Sequence, residues 1–299
     1  MRQWRRIGAY GLCREGDRVL LVRAAPSADF PGTWQLPGGG LRHGEHPAAA
    51  VARKVTAETG LLVEVVAPRA VVSDVVQLRD AAVHTDRVIY DVRVRGGSLR
   101  DEPGGTIDAA AWVPEPELTG LRLMPYTADL LGVPVTPLPP SEHGRRRRIV
   151  PRWGRGQRFG AYGLVTDPAG RVLLALIAPG YPGAGRWHLP GGGTEHGEQP
   201  TVGLLRELVE ESGQVGRVTG LLDVSSHRNP RAVGPEGRPI DWHVVRAVYR
   251  VVVDLPTEPT VTEAAGGSTA QARWFRPAEA AALPLTEAAR AALARLALR

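Results

Sequence analysis

Hydrophobic positions along the chain form short runs separated by polar turns, and the same grouping occurs twice. Apolar runs cover 7–13 and 18–22 in the first half, and 159–165 and 171–177 in the second. Each pair flanks a short polar segment that contains glycine. Two apolar runs around such a segment predict a β-hairpin. We therefore expect each half of the chain to begin with two antiparallel strands.

A helix is predicted in the middle of each half. One segment begins at Pro47 and ends at Gly60, and its counterpart begins at Pro200 and ends at Gly213. Proline is favoured in the first turn of a helix, and glycine is favoured just past the last turn. Both segments have the length of an ordinary helix and follow a glycine-rich loop.

Alternating polar and apolar positions predict further strands, with a helix at the end of the chain. The longer strands are expected at 87–94 and 244–253, the shorter ones at 110–113 and 272–275, and the amphipathic helix at 285–298. Strands mixed with helices in this order favour an α/β fold with a mixed sheet.

The two halves are copies of each other. IGAYGL at 7–12 recurs as FGAYGL at 159–164, and TWQLPGGGLRHGEHP at 33–47 recurs as RWHLPGGGTEHGEQP at 186–200. The offset of about 153 residues is the size of a whole domain. A period this long indicates a duplicated domain, whereas solenoid repeats are much shorter.

The duplication predicts two domains joined by a linker. With 299 residues, the chain is long enough for two hydrophobic cores. We expect one domain at 1–134 and a second at 158–299. The segment 135–157 between them is rich in proline and arginine and has no apolar periodicity, which favours an extended linker.

The basic charge of the chain belongs to this linker. The formal net charge is +6 with a pI near 10.0, but residues 141–158 alone carry seven arginines and one glutamate. The rest of the chain is therefore neutral overall. Arg145–Arg148, with Trp153 nearby, are candidates for an electrostatic contact with nucleic acid. A solvated arginine-rich linker is the alternative, and we favour it.

Cysteine content and hydropathy indicate in which cellular compartment we expect the protein. A single cysteine excludes an intramolecular disulfide, which favours a reducing environment. No apolar run approaches the length that spans a bilayer, and the first residues lack the apolar segment of a signal peptide. We expect a soluble cytoplasmic protein without a membrane partner.

The strongest chemical pattern lies between the second glycine-rich loop and the end of the helix that follows it. Its members are Gly192, Glu198, Arg206, Glu207, Leu208, Glu210, Glu211 and Gly213. On a helix, the glutamates at 207, 210 and 211 are spaced i, i+3 and i+4 and share one face. Three adjacent carboxylates repel one another unless cations neutralise them, and Mg²⁺ prefers such oxygen ligands. Glu198 and Arg206 are expected to form a structural ion pair that braces the loop.

A solvated acidic face is the ordinary explanation of a glutamate-rich helix. The loop His188-Leu-Pro-Gly-Gly-Gly just upstream and the register of Glu198 and Arg206 favour the metal site instead. Backbone groups of a glycine-rich loop approach a ligand closely.

This pattern resembles the signature box of the Nudix hydrolases, which cleave nucleoside diphosphates linked to another moiety. The resemblance covers about 7–133 and 158–298. It implies two Nudix-type α/β/α sandwiches, a Mg²⁺ cofactor with Mn²⁺ as an alternative, and metal binding by the Gly192 carbonyl. A loop carboxylate often completes the site in this family, which makes Glu263 a candidate; the alternative is a solvated loop residue.

The N-terminal copy of the box is degenerate. It keeps Gly39, Glu45, Arg53, Glu58 and Gly60. Lys54 replaces the equivalent of Glu207, and Ala57 replaces the equivalent of Glu210. Drift in a redundant copy is one explanation. The other is that Lys54, the only lysine in the chain, supplies a positive charge that binds a phosphorylated ligand without cleaving it.

Two further residues are candidates for substrate contacts. Arg246 could clamp a phosphate, with a surface ion pair as the alternative. Trp242 could stack on a base, with a buried or edge aromatic as the alternative. Strand alternation places His243 and Arg246 on opposite faces, so at most one of them faces substrate.

These observations predict a Mg²⁺-dependent pyrophosphohydrolase whose catalysis resides in the C-terminal domain. Its partner is a phosphorylated small molecule such as a nucleotide or nucleotide sugar, and no motif selects one. A non-catalytic diphosphate-ligand sensor is the alternative function. Pairing of the two domains within the chain and a homodimer both stay open.

Overall fold

The protein is built from two α/β units. The computed structural model describes residues 2–101, 104–141, 154–233, 238–262 and 267–296. The first unit contains Met1–Gln157 together with Ser226–His243, and the second contains Arg158–Ser225 together with Val244–Arg299.

The N-terminal half contains seven strands, two α-helices and a short 3-10 helix in its described part. They are β1 (Arg2–Glu15), β2 (Arg18–Ala24), β3 (Trp34–Gln35), β4 (Gly38–Gly40), α1 (Pro47–Thr59), β5 (Leu61–Gln77), β6 (Ala81–Gly97), β7 (Ile107–Pro114), the 3-10 helix (Glu115–Gly120) and α2 (Pro125–Leu131).

The C-terminal half repeats this order, again within the described residues. Its elements are β8 (Arg155–Thr166), β9 (Val172–Ile177), β10 (Trp187–His188), β11 (Gly191–Gly193), α3 (Pro200–Ser212), β12 (Arg217–Val233), β13 (Pro239–Val252), β14 (Thr269–Phe275), α4 (Pro277–Ala281) and α5 (Glu287–Ala294).

Both sheets are mixed and have the same strand order. The first is β3-β2-β1-β6-β5, with β4 on β1 and β7 on β2; the second is β10-β9-β8-β13-β12, with β11 on β8 and β14 on β9. Strand β1 runs parallel to β6 and antiparallel to β4 and β2. The predicted α/β class with a mixed sheet is confirmed in both halves.

The predicted hairpins and central helices are present. Helices α1 and α3 begin at Pro47 and Pro200, and the left-handed residues Gly60 (φ 75°) and Gly213 (φ 67°) end them. A residue with a Cβ is strained at such a φ, so glycine is the favoured helix end. The bounds of the helix that carries the box carboxylates are therefore fixed by these two residue types.

The structure contains several elements that were not predicted from the sequence, and the terminal helix has other bounds than predicted. Strands β5 and β12, each 17 residues long, were not predicted. The terminal helix α5 covers Glu287–Ala294 instead of 285–298. It begins later because the backbone of Leu285 bridges Trp187 and Thr286 caps the helix. A proline-started helix, α4, precedes it.

The second unit has a helix on each face of its sheet. A Cβ placed on Gly163 would lie 3.3 Å from Leu204 of α3, so odd-numbered positions of β8 at this point face α3. Leu164, the next residue, belongs to an apolar cluster that contains Ala289 of α5. These two helices and the sheet form an α/β/α arrangement in this unit.

Part of the predicted linker packs against the first unit. Leu138 contacts the apolar core of that unit, and the Ser141 backbone N–H donates to the Gln77 carbonyl at 2.8 Å. Arg145–Arg148 and Trp153 lie outside the described residues. In the described part of the chain, no helix is long and apolar enough to span a membrane.

Candidate active site

Helix α3 carries the acidic residues of the box in its last two turns. Glu207, Glu210 and Glu211 lie on this helix at the i, i+3 and i+4 spacing that the sequence predicts. Their side chains have different surroundings. Glu211 is buried, Glu207 is largely shielded, and Glu210 is exposed over 43% of its side chain.

The carboxylate of Glu211 ties the helix to the glycine-rich loop. It is 1% exposed, accepts a hydrogen bond from the Gly191 N–H at 2.8 Å and another from the Thr269 hydroxyl at 2.6 Å. Charged acceptors make hydrogen bonds about twice as strong as neutral ones. Glu211 thereby holds β11 and β14 at fixed positions next to α3.

Arg206 forms hydrogen bonds with three surrounding carboxylates. Its guanidinium donates to Glu198 at 3.0 and 3.2 Å, to Glu207 at 3.2 Å and to Glu210 at 3.1 Å. It also donates to the Gly193 carbonyl at 3.3 Å, so the predicted ion pair with Glu198 is present and reaches the loop. The hydrogen bond with Glu198 is the main reason why the pKa of Arg206 lies above its ordinary value.

Glu207 lies directly against the loop. A Cβ placed on Gly192 would be 2.7 Å from the carboxyl carbon of Glu207, a distance that real side chains do not tolerate. Glycine at this position is therefore needed for the carboxylate and the loop backbone to approach each other.

The box is strongly acidic, and its donor chemistry fits a divalent cation. Three carboxylates, those of Glu198, Glu207 and Glu210, share the guanidinium of Arg206, and the carboxylate of Glu211 lies on the same helix. Within the described ranges, no three histidine, cysteine, aspartate or glutamate side chains are placed to hold a metal ion. In this structure Arg206 and the loop backbone hydrogen-bond the box carboxylates. Hard oxygen donors with a surplus of negative charge are nevertheless the ligands that Mg²⁺ prefers.

Three side chains lie together beside the glycine-rich loop. The rings of Tyr162 and His188 pack edge to face with centroids 5.8 Å apart. Burial, and secondly the positive charge of Arg246, lowers the pKa of His188 to about 4. His188 is therefore neutral at physiological pH, with one ring nitrogen that donates and one that accepts a hydrogen bond.

We expect the neutral state of His188 to make the protein less stable in acid. The unfolded chain binds the proton near pH 6.5 and the folded chain only near pH 4, so stability falls as the pH decreases through this window. Between pH 7 and 4.5 the wild type should lose about 2 to 3 kcal/mol more than His188→Gln, as measured by urea unfolding. Glutamine occupies the equivalent position, Gln35, in the first repeat. Equal losses in the two proteins would contradict the assignment.

The other predicted substrate residues lie elsewhere. Trp242 and His243 belong to the first unit, where the indole packs over the backbone of Gly156. His243 is 0% exposed and its Nδ1 lies 3.1 Å from the amide nitrogen of Gln157. These placements support a packing role for both rings. Glu263, the predicted additional ligand, lies outside the described residues.

The N-terminal box keeps the hydrogen bond between the helix and the glycine-rich loop, but a lysine replaces one of the box glutamates. Glu58, 2% exposed, accepts a hydrogen bond from the Gly38 N–H at 2.8 Å and pairs with the Lys54 ammonium at 2.6 Å. The stem of Lys54 lies against Gly39, where a Cβ would be 2.9 Å from its Cε. This is where Glu207 lies in the other copy. The lysine thus neutralises the buried carboxylate from within the chain.

A buried arginine near this box is also neutralised. Arg87, 1% exposed, donates to both oxygens of Asp74 at 2.8 and 2.9 Å and to the Tyr10 hydroxyl at 2.7 Å. Its counterpart Arg246 makes no hydrogen bond or ion pair in the described part of the chain. The N-terminal cations are therefore engaged by the protein, which supports the explanation of Lys54 as drift in a redundant copy.

Comparison with known proteins agrees with this pattern. The NUDIX domain model matches residues 2–131 and 156–296. The chain belongs to the Nudix family. Two Nudix domains in tandem follow from the two matched ranges, and the family consists of hydrolases that act on phosphorus anhydrides.

Individual relatives match parts of this Nudix protein. A stretch of 52 residues is 50% identical to a MutT-like protein of Streptomyces ambofaciens and spans 17% of this chain and 31% of that one. Over 161 residues, 50% of this chain and 72% of the other, it is 32% identical to the "Putative 8-oxo-dGTP diphosphatase 3" of Mycobacterium tuberculosis. A MutT NUDIX hydrolase structure from Burkholderia pseudomallei is 30% identical, with a TM-score of 0.38 over 47% of this chain and 98% of that one.

Two residues of the Nudix site were not predicted. Tyr162 occurs as Tyr10 in the first repeat, and this recurrence was the one signal in the sequence that could have singled it out. Its position beside the loop comes from the pairing of Tyr162 with Gly191. Thr269 had no such signal, because the first repeat has Ile107 at that position when the copies are aligned on Trp112 and Trp274. Only the structure shows that its hydroxyl binds Glu211.

Proposed function

We propose that the C-terminal domain is a Mg²⁺-dependent pyrophosphohydrolase that cleaves a nucleoside diphosphate linked to another moiety. The observation that supports it is the surplus of carboxylates around Arg206, next to a glycine-rich loop held by Glu211. Glu207, Glu210 and Glu211 would hold Mg²⁺ or Mn²⁺, together with the Gly192 carbonyl and Glu263. The bound ions would neutralise phosphate charge and lower the pKa of the attacking water.

The residues of the chain position the reacting groups. Glu198 and Arg206 brace the loop against α3, so the Gly192 backbone and the acidic face keep a fixed separation. Arg246, which has no acidic partner in the described residues, is the phosphate-binding side chain of this proposal. His188 offers a neutral donor and acceptor beside it. Catalysis then depends mainly on positioning and charge stabilisation.

The N-terminal domain is proposed to be inactive. A single carboxylate, Glu58, remains of the three, and Lys54 already neutralises it. A second ion pair, between Arg53 and Glu45 at 2.7 Å, is the equivalent of the pair between Arg206 and Glu198. It holds the loop against the helix, but the N-terminal box lacks the additional carboxylates.

We expect the full-length protein with Mg²⁺ to release a nucleoside monophosphate from at least one of dGTP, 8-oxo-dGTP, ADP-ribose and a UDP-sugar. The reason is that all four carry the phosphorus anhydride that the site is proposed to attack. Product-resolved chromatography measures it, and chelation by EDTA should abolish it. Binding of these compounds without any product, in Mg²⁺ and in Mn²⁺, would contradict hydrolysis and favour the alternative of a ligand sensor.

A further inference from the structure

The side chain of Arg158, a residue of β8, lies against the glycine-rich loop. A Cβ placed on Gly193 would be 2.6 Å from its Nη2, 2.9 Å from its Nε and 3.1 Å from its Cζ. The guanidinium therefore rests against the Gly193 Cα, in the space that any larger residue would occupy. Gly193 follows Gly192, the residue that contacts Glu207.

Arg158 lies on the face of the sheet that carries Tyr162. Both are even-numbered residues of β8, whereas Gly163 faces helix α3. Because successive residues of a strand alternate between faces, Arg158 and Tyr162 point away from α3. Tyr162 contacts His188, and Arg246 acts on His188 electrostatically. Arg246 lies two residues before Val248 on β13, and Val248 belongs to the same apolar cluster as Leu164, so Arg246 lies on this face as well. This face therefore carries two guanidinium groups beside the glycine-rich loop.

Among the described residues, no acidic side chain neutralises Arg158. It is exposed and makes no hydrogen bond or ion pair with any described residue. The equivalent residue of the first repeat, Arg6, instead donates to the Thr85 hydroxyl at 2.9 Å, and the space over Gly40 is open. The placement of a free cation on the loop is thus a property of the copy with the complete box.

We infer that Arg158 is a substrate-positioning residue that binds a terminal phosphate and makes the enzyme prefer nucleoside triphosphates to diphosphate diesters such as ADP-ribose. This inference rests on the proposed hydrolase function. A guanidinium offers paired N–H donors that match two phosphate oxygens.

The two substrate classes differ at the end of the phosphate chain. A triphosphate ends in a singly substituted phosphate, whose second ionisation near pH 6 gives it an extra negative charge at neutral pH. A diphosphate diester has no such group. A second cation beside the glycine-rich loop, in addition to Arg246, therefore favours the triphosphate.

The test is steady-state kinetics of the full-length protein with Mg²⁺, using dGTP and ADP-ribose. We expect Arg158→Gln to raise the KM for dGTP about tenfold with kcat within about threefold, and to change the KM for ADP-ribose less than about twofold. Arg6→Gln removes the same charge at the equivalent position of the other repeat and should change neither. Equal changes for both substrates, or none, would overturn the inference, as would a wild type that cleaves ADP-ribose but not dGTP.

A second variant moves the guanidinium without removing its charge. Gly193→Ala should displace the flexible end of Arg158 and raise the KM for dGTP in the same direction, with the thermal midpoint of unfolding unchanged. Calorimetric binding of α,β-methylene-dGTP makes the inference testable if no substrate is cleaved. Weaker binding to Arg158→Gln by about tenfold, with Arg6→Gln unaffected, would then support the positioning role while the hydrolase proposal fails. Equal affinities would overturn it.

Discussion

Glu211→Gln is expected to lower kcat at least about 100-fold with a cleaved nucleotide substrate, because it removes one of the three carboxylates proposed to hold the metal ion. The fold should survive this change. The glutamine carbonyl can still accept from the Gly191 N–H, and its amide can donate to the Thr269 hydroxyl. Product release under saturating Mg²⁺ measures the effect.

The first repeat provides the matched control for this prediction. Glu58→Gln makes the same change at the equivalent residue, which also accepts from a loop glycine. Because no catalysis is assigned to that domain, kcat should stay within about twofold of the wild type. Retention of full activity in Glu211→Gln, or an equal loss in Glu58→Gln, would show that catalysis does not depend on the C-terminal box.

Lys54→Met is expected to destabilise the N-terminal domain by about 3 kcal/mol, since it leaves the buried carboxylate of Glu58 without its cation. Lys54 Nζ and Glu58 Oε1 are 2.6 Å apart, and the Glu58 side chain is 2% exposed. Methionine keeps the hydrophobic contact of the lysine stem with Gly39 but not the charge. Chemical denaturation of the full-length protein at pH 7 measures the loss.

The double variant Lys54→Met/Glu58→Gln separates the ion pair from the packing. Because it removes the unpaired charge as well, we expect it to recover at least about half of the stability lost in the single variant. The Glu211 site is untouched, so turnover should be unchanged in both proteins. A single variant as stable as the wild type would show that the ammonium contributes no net stabilisation.

The sequence predicted the elements whose boundaries are set by local chemistry. Proline at the first turn and glycine past the last turn located α1 and α3, and the glycine-containing turns located the hairpins. The ion pair of Glu198 and Arg206 was predicted as a brace between the loop and the helix of the box, and the structure contains it.

Features that depend on tertiary contacts could not be predicted in this way. Helix α5 begins late because Leu285 pairs with Trp187, about 100 residues earlier in the chain. The same applies to the site, where the hydroxyl of Thr269 and the guanidinium of Arg158 reach the box from β14 and β8. Neither residue belongs to a local motif, so the spacing of residues along the chain could not predict that it contacts the site.

The bond between the last glutamate of each box and a loop glycine N–H has a consequence for how such motifs are interpreted. Glu58 and Glu211 make the same 2.8 Å bond, although only one copy retains the other carboxylates. In both copies this glutamate holds the helix to the glycine-rich loop, which is a structural role. Selection for a stable fold is therefore enough to preserve it. The presence of this glutamate in a degenerate box, such as Glu58 here, therefore does not indicate catalytic activity. The positions of Glu207 and Glu210, which Lys54 and Ala57 occupy in the first repeat, are the ones that distinguish an active box from an inactive one.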